Sequence, residues 1–404
     1  MALWNYKPLF DDDDEPIGSL SNLATLHTFT GSLDESWFYL ISVAIESRAG
    51  PIIPLMLEAM HAVRAGDTET VTNCLQNFAE RLDELGVLLG RMYEQCDPHV
   101  FYHRIRPFLA GSKNMADAGL PNGVIFDDGT GTSDYVQYSG GSNAQSSIIQ
   151  FFDLVLGIDH RPTGVKANSS SDFTTAAVPS TTPSTTATTP PPPSPNNFIH
   201  EMRRYMPGPH RRFLIRIASV ANIRPFVESH AHNVSLTTAF DACLAMLRAF
   251  RDRHVQMVSR YIIVKSRETR RPSVTRGVTS PPPSSGTGAS MPSAPQQQQQ
   301  KINLANVAAS GAGEERKALK GTGGTALIPF LKQARDETGE PAVGNWARRL
   351  LTGSGSGLGS GSGKRSRSED RQQGQGQGQG HGVQIKGLSG IWTDNGDMGG
   401  ICHW

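Results

Sequence analysis

One histidine stands on a helical stripe that is otherwise apolar. Leu236, Phe240, Cys243, Leu247, Phe250, His254, Met257 and Tyr261 recur at steps of four and three, the spacing that aligns side chains on one helix face. A buried imidazole there needs partners for both ring nitrogens. Two chemistries meet that need. One is a core histidine bonded to a carbonyl. The other is the axial ligand of a haem, which requires an apolar slot between helices and one imidazole. Arg251 sits one turn earlier, where its guanidinium can meet a haem propionate.

Other candidates carry less chemistry. His99 and His103 are spaced i, i+4, as two zinc ligands would be, but Val100 stands where HExxH has its glutamate, and no third ligand is evident. A solvated helix start is the plainer reading, and His230-Ala-His232 is weaker still. Lys320-Gly-Thr-Gly-Gly-Thr-Ala326 resembles a degenerate dinucleotide loop, yet the polar helical stretch EERKALK precedes it, where a strand is required. It reads as a flexible connection or as a mobile loop whose amides and hydroxyls receive a carboxylate. The stretch Gly140 to Ser147, GGSNAQSS, lets backbone approach a ligand ahead of a helix starting near Ala144. No general base accompanies Ser142, so a hydrolase nucleophile is not indicated. The basic run Arg203, Arg204, His210, Arg211, Arg212 reads as a solvated face, and Lys364-Arg-Ser-Arg367 as a weak tag.

The elements that position these residues are helical. Val71, Leu75, Phe78, Leu82, Leu85, Leu89 and Met92 form a second stripe, which Asp67 or Thr68 can cap and Asp97-Pro98 stops. Trp37–Glu46, Pro54–Val63, Phe101–Leu109 and Ile148–Leu156 mark shorter helices. Ser235 is placed to cap the longest, whose 28 or so residues would make a rod of about 42 Å. No period-2 strand is evident, and the chain is predicted to be all-α. Three stretches are too polar or too rich in Pro and Gly to fold, at about 161–197, about 265–301 and 352–404, and disorder is expected in each. The first two read as insertions in surface loops. About 270 of the 404 residues then remain to build a core, enough for one large domain.

Composition narrows the function classes. A net charge of +1 gives no general attraction to nucleic acid. Four cysteines (Cys74, Cys96, Cys243, Cys402) lie far apart without a CxxC pair, which excludes a disulfide scaffold and a thiolate zinc site and suits a reducing, cytoplasmic compartment. The acidic start MALWNYKPLFDDDDEP lacks a signal-peptide pattern, and no run of about 18 apolar residues suggests a membrane span.

Four blocks together resemble the indoleamine 2,3-dioxygenase family in composition and order: Gln145-SSIIQFFDLVLGI-Asp159, Glu201-MRRYMPGPHRRFL, Phe250-RDRHVQMVSRYI and Lys320-GTGGT. The resemblance covers roughly residues 35–335 without the two insertions, and the MRRYMP and GTGGT blocks are its most specific parts. It implies an all-helical haem b dioxygenase that opens the indole ring of L-tryptophan with O₂ to give N-formylkynurenine, a step of tryptophan catabolism towards NAD. The proximal iron ligand falls on His254 and the propionate arginine on Arg251. Distal-pocket residues fall on Phe38 and Ser42, and the pair over the haem on Gly141 and Ser142. The aromatic and arginine that clamp the substrate fall on Phe101 and Arg106, and the carboxylate-binding threonine on Thr322. Asn143 departs from the pattern, standing where many members have alanine.

The resemblance also implies a smaller helical domain ahead of the haem domain. Here it begins near the N-terminus, with Trp4-Asn-Tyr-Lys-Pro8 similar only to that domain's end, as in a fragment or truncated paralogue. Residues 1–35 are therefore read as its remnant, 36–351 as the helical haem domain and 352–404 as a tail. A monomer is expected once a small domain is supplied, with tryptophan or a related indole and O₂ as partners and no nucleic acid or membrane. Two rival readings stand beside this one: a haem-binding sensor or decayed paralogue without efficient turnover, and a helical scaffold that binds no haem.

Overall fold

The computed structural model describes residues 4–10, 19–127, 129–131, 134–165, 197–270, 320–352, 383–387 and 390–394. Most of the two polar insertions and of the tail lie outside these residues. The described elements run β1 (Lys7–Pro8), β2 (Leu23–Ala24), α1 (Leu33–Ala49), α2 (Ile52–Ala65), α3 (Thr68–Gly90), α4 (Met92–Gln95), α5 (Pro98–Val100), α6 (Ser147–Val155), α7 (Phe198–Met202), α8 (Gly208–Val220), α9 (Ile223–Ser229), α10 (Val234–Val258), α11 (Lys265–Arg270), α12 (Leu327–Glu337), α13 (Asn345–Thr352), β3 (Val383–Gly387) and β4 (Gly390–Asp394). The protein is all-α, with β1 pairing antiparallel to β2 and β3 to β4.

The longest helices form where apolar spacing and capping agree. The Asp67 carboxylate accepts the Thr70 amide at 3.0 Å and starts α3. Asn233, rather than the expected Ser235, caps α10 by accepting the Leu236 amide at 3.1 Å. The cap lies two residues earlier because Asn233 already offers the side-chain oxygen that the first turn needs. The two helices then pack along their length. Leu75, Phe78, Leu82 and Leu85 of α3 and Phe240, Cys243, Leu244 and Leu247 of α10 are all buried. Each such side chain contributes about 1.5–3 kcal/mol of burial free energy.

Three expectations shift. First, Leu33–Ala65 is long and apolar enough to cross a bilayer by length and composition. Glu46, Ser47 and Arg48 interrupt its apolar run, so no unbroken stretch is visible in the sequence. In the fold, α1 and α2 join at Gly50–Pro51 and both pack against α3. Second, the helical path persists through Arg270, past the point where the second insertion was expected to begin. Third, β3 and β4 form a hairpin within the expected disordered tail. Val383 and Ile385 alternate there with Gln384 and Lys386, a four-residue period-2 signal too short to stand out among the surrounding glycines.

The first insertion leaves the domain beside α12. Its near flank is held where the Gly164 amide donates to Gln333 at 2.8 Å, and its far flank where the Asn197 amide donates to the His160 carbonyl. A chain lacking residues 168–195 is therefore expected to keep its helix content and thermal midpoint, measured by circular dichroism. A drop of more than a few degrees would show that the excised stretch is part of the core.

Candidate functional site

The described residues enclose a cavity of about 390 Å³ between α1, α10, the start of α12 and the segments ahead of α6 and α8. This lies within the range of small-molecule and cofactor sites. Phe38, Ser42, Phe101, Arg106, Gly141, Ser142, His254 and Thr322 all line it. Residues more than 280 positions apart in the chain thus share one wall, as the resemblance implied.

His254 faces this space from α10. Burial pushes its imidazole down to about 4, and the nearby Arg251 charge adds to the effect, so the ring is neutral at ordinary pH. Its Nε2 lies 3.1 Å from the Asn143 amide nitrogen. An amide nitrogen can only donate, so Nε2 presents its lone pair to the cavity. Among the described residues no group of three or more His, Cys, Asp and Glu side chains could hold a bare metal ion. A lone neutral imidazole in a largely apolar cavity is instead the donor set for a metal that arrives with its other ligands already attached.

Arg106 is the second unusual group. It is 3% exposed, and one guanidinium nitrogen donates to the Lys320 carbonyl at 3.0 Å. Its Nε is buried without a partner among the described residues. Burial lowers this guanidinium, with the Tyr102 hydroxyl acting in the opposite sense. No carboxylate among the described residues pairs with it, so a buried cation lines the cavity without a counter-ion. Beside it Phe101 tilts against Phe38, with ring centroids 5.0 Å apart, and sets its edge to Tyr261 at 5.5 Å. Phe101 opens a π-helical turn (Phe101–Ile105), and a second such turn (Ser259–Val264) carries Tyr261. Turns of this kind recur at functional sites.

Arg251 does not line the cavity, although a propionate contact was expected of it. Its guanidinium pairs with the Asp153 carboxylate at 2.7 and 2.8 Å and also donates to the Thr338 hydroxyl. Three residues along a helix is about 60° round its axis, which turns Arg251 toward Asp153 on α6. His99 and His103 are neighbouring rings, 4.3 Å apart, outside the cavity. Among the further lining residues, Glu46 and Tyr205 carry polar groups that were given no role from the sequence. Glu46 accepts the Ser146 hydroxyl at 2.6 Å, and burial raises its carboxyl against that bond. Its position four residues after Ser42 and eight after Phe38 was the available signal. Tyr205, whose hydroxyl accepts the Ser139 amide at 2.9 Å, stands inside the MRRYMP block, which was the signal for it.

The Gly-Thr-Gly-Gly-Thr segment forms a tight turn. A bridge between Lys320 and Ala326 closes it, and Gly324, with φ of 94°, takes the left-handed conformation glycine permits. This turn docks on a backbone crossing. The Gly140 amide donates to the Thr322 carbonyl at 3.1 Å, the Gly141 amide to the Leu109 carbonyl at 2.9 Å, and the Thr322 hydroxyl to the Gly141 carbonyl. A Cβ at Gly140 would stand 2.1 Å from the Leu109 oxygen and 2.8 Å from that of Thr322. Both are backbone atoms that cannot swing aside. Gly140→Ala is accordingly expected to destabilise the chain by about 1–3 kcal/mol through overpacking, read as a fall in the denaturant midpoint. Wild-type stability in that variant would show that the three segments do not cross so closely.

The family model for indoleamine 2,3-dioxygenase matches residues 1–341. The chain is 38% identical to an indoleamine 2,3-dioxygenase of Saccharomyces cerevisiae, over 84% of this chain and 66% of that protein. It is 36% identical to one of Aspergillus nanangensis, over 83% and 67%. With a 6-hydroxytryptophan 2,3-dioxygenase of Fusarium equiseti it shares 34% identity, over 83% and 67%. The matched part thus spans about two-thirds of the length of these relatives. A family match over most of the chain, relatives at this identity and a helical fold with one ligand-poor imidazole together place the chain in the indoleamine 2,3-dioxygenase family.

Proposed function

We propose that the chain binds haem b through His254 and adds both atoms of O₂ across the indole ring of L-tryptophan, giving N-formylkynurenine. One observation carries this reading: among the described residues, a neutral imidazole without companion ligands and a buried cation without a counter-ion face the same cavity. The first suits a macrocyclic iron and the second an amino-acid carboxylate. The names of the relatives support the same reaction class, and one of them names a hydroxylated tryptophan as its substrate. Three buried free thiols, Cys74, Cys96 and Cys243, fit a cytoplasmic setting.

The residues divide the work. His254 would hold the iron, and the bound haem supplies the activation of O₂. Arg106 receives the substrate carboxylate, its planar fork meeting two oxygens at once. Phe101, fixed by Phe38 and Tyr261, packs on the indole. Thr322 and its turn close over the cavity and keep water out. Neither Phe38 nor Ser42 is a base, and none is needed, because the indole ring is itself electron-rich. Orientation and a dry enclosure are what the chain contributes.

Three measurements test the assignment. His254→Ala should abolish stoichiometric haem binding and leave the helical circular dichroism intact. Unaltered haem retention would remove His254 from the iron. Arg106→Ala should cost on the order of 2–4 kcal/mol in tryptophan recognition at unchanged haem content, and equal affinity in variant and wild type would refute the carboxylate contact. Asn143→Ala acts in the other direction. Its amide donates to the nitrogen that the iron would use, so removing a competitor worth about 1 kcal/mol should tighten haem binding several-fold, measured by titrating the haem-free chain. Weaker binding would show that Asn143 helps to hold the group.

A further inference from the structure

Outside the residues that line the cavity lies a buried ionic cluster to which the proposed reaction gives no role. His160 lies just beyond α6, and its side chain is 4% exposed. Its Nε2 lies 3.0 Å from Asp153 on α6, and its Nδ1 lies 2.7 Å from Glu337, the last residue of α12. Both carboxylates are almost wholly buried. Each acceptor requires an N–H, and an imidazole carries two only when protonated. The ring is therefore a cation between two anions.

We propose that His160 is a positioning residue that holds the Gly321–Leu331 segment over the substrate cavity by anchoring the far end of α12. The segment and its anchor belong to one short stretch of chain. The docked turn leads into α12, whose Leu327, Phe330 and Leu331 line the cavity, and the helix ends at Glu337. There Glu337 also accepts the Gln333 amide at 2.8 Å and the Arg161 backbone amide at 3.1 Å. Arg251 grips the same end through Thr338 while holding Asp153. Asp153, Glu337, His160 and Arg251 thus form a charge-balanced set across α6, α10 and α12. Burial pulls the His160 imidazole down, but the two carboxylates more than offset this and hold it above the ordinary range. The Asp153 and Glu337 carboxyls are held low in spite of burial, by Arg251 and His160 for the first and by His160 and Gln333 for the second.

Chemistry distinguishes this clamp from mere filling of space. In His160→Gln the amide can donate to Asp153, but its oxygen then faces the Glu337 carboxylate. Two acceptors meet, and the end of α12 should lift. In the double variant H160Q/E337Q the second amide donates to that oxygen and the bridge closes again without charge. Two readouts report on the segment. Amide hydrogen exchange of residues 321–331 is measured on the haem-free chain and depends on no activity. The Michaelis constant for tryptophan, measured on the haem-loaded chain, rests on the function proposed above.

H160Q should speed exchange in that segment about tenfold, the loss expected of one hydrogen bond to a charged group, and raise the Michaelis constant with the haem absorption band unmoved. H160Q/E337Q should return both toward wild type. Faster exchange without tryptophan turnover in any variant would support the clamp and overturn the reaction, so the two fail separately. Unchanged exchange in H160Q, or a double variant as loose as the single one, would overturn the clamp. Should H160Q not fold, Glu337→Ala cuts the bridge from the other side, and wild-type exchange there would overturn it equally.

Discussion

The seam between α3 and α10 decides where the His254 imidazole stands in the cavity wall. Both helices spend their apolar faces on each other over most of their length, so α10 is free neither to rotate nor to slide. His254 occurs where the stripe of α10 runs past that seam and out along the cavity wall. A rotation by one residue would carry it about 100° round the helix and into the position of a neighbour. The rest of the site is arranged around this fixed point. Helix α1 supplies Phe38, Ser42 and Glu46 along one face, and the Gly140–Ser142 backbone and the docked turn supply the remaining walls.

Much of this was legible because periodicity is a local signal. The stripe on α10 comes from counting in threes and fours, and the same count from Phe38 and Ser42, which the family likeness supplied, reaches the Glu46 that was missed. The blocks around Phe101, Arg106, Gly141 and Thr322 were legible for a different reason, their likeness to a family, since nothing in their spacing brings together residues 38, 106, 254 and 322. What stayed hidden was pairing across long separations. That Arg251 would be taken by Asp153, or that His160 would lie between carboxylates 184 positions apart, depends on how α6 and α12 cross α10. No window of sequence contains that crossing. The cap on α10 was misplaced for a smaller reason: Asn233 and Ser235 are both competent, and only the path of the entering chain chooses between them.

Two buried charged groups show opposite solutions to one electrostatic problem. Taking an ion out of water costs several kcal/mol unless partners replace the lost hydration. The cluster at Asp153, His160, Arg251 and Glu337 is furnished with partners on every member. Arg106 is not, since among the described residues it receives a carbonyl and the face of the Tyr102 ring. The difference separates charges already neutralised within the fold from a cation left open to the cavity. It also gives a physical reason why the buried arginine without a carboxylate faces the cavity and the arginines that have one do not.

The two π-helical turns bear on how this chain can vary in length. Each is a helical turn holding one residue more than α-geometry would. In each case the surplus residue sets the phase of the helix beyond it, and the aromatic contact between Phe101 and Tyr261 joins one turn to the other. Shortening either turn by a residue would leave an unbroken helix with its hydrogen bonds intact. Every side chain between the deletion and the end of that helical run would then be rotated by about 100°, and after the first turn these include Arg106 and Leu109 of the cavity wall. Here a single-codon deletion would act as a change of wall, silent in the secondary structure and visible only in what the cavity can hold.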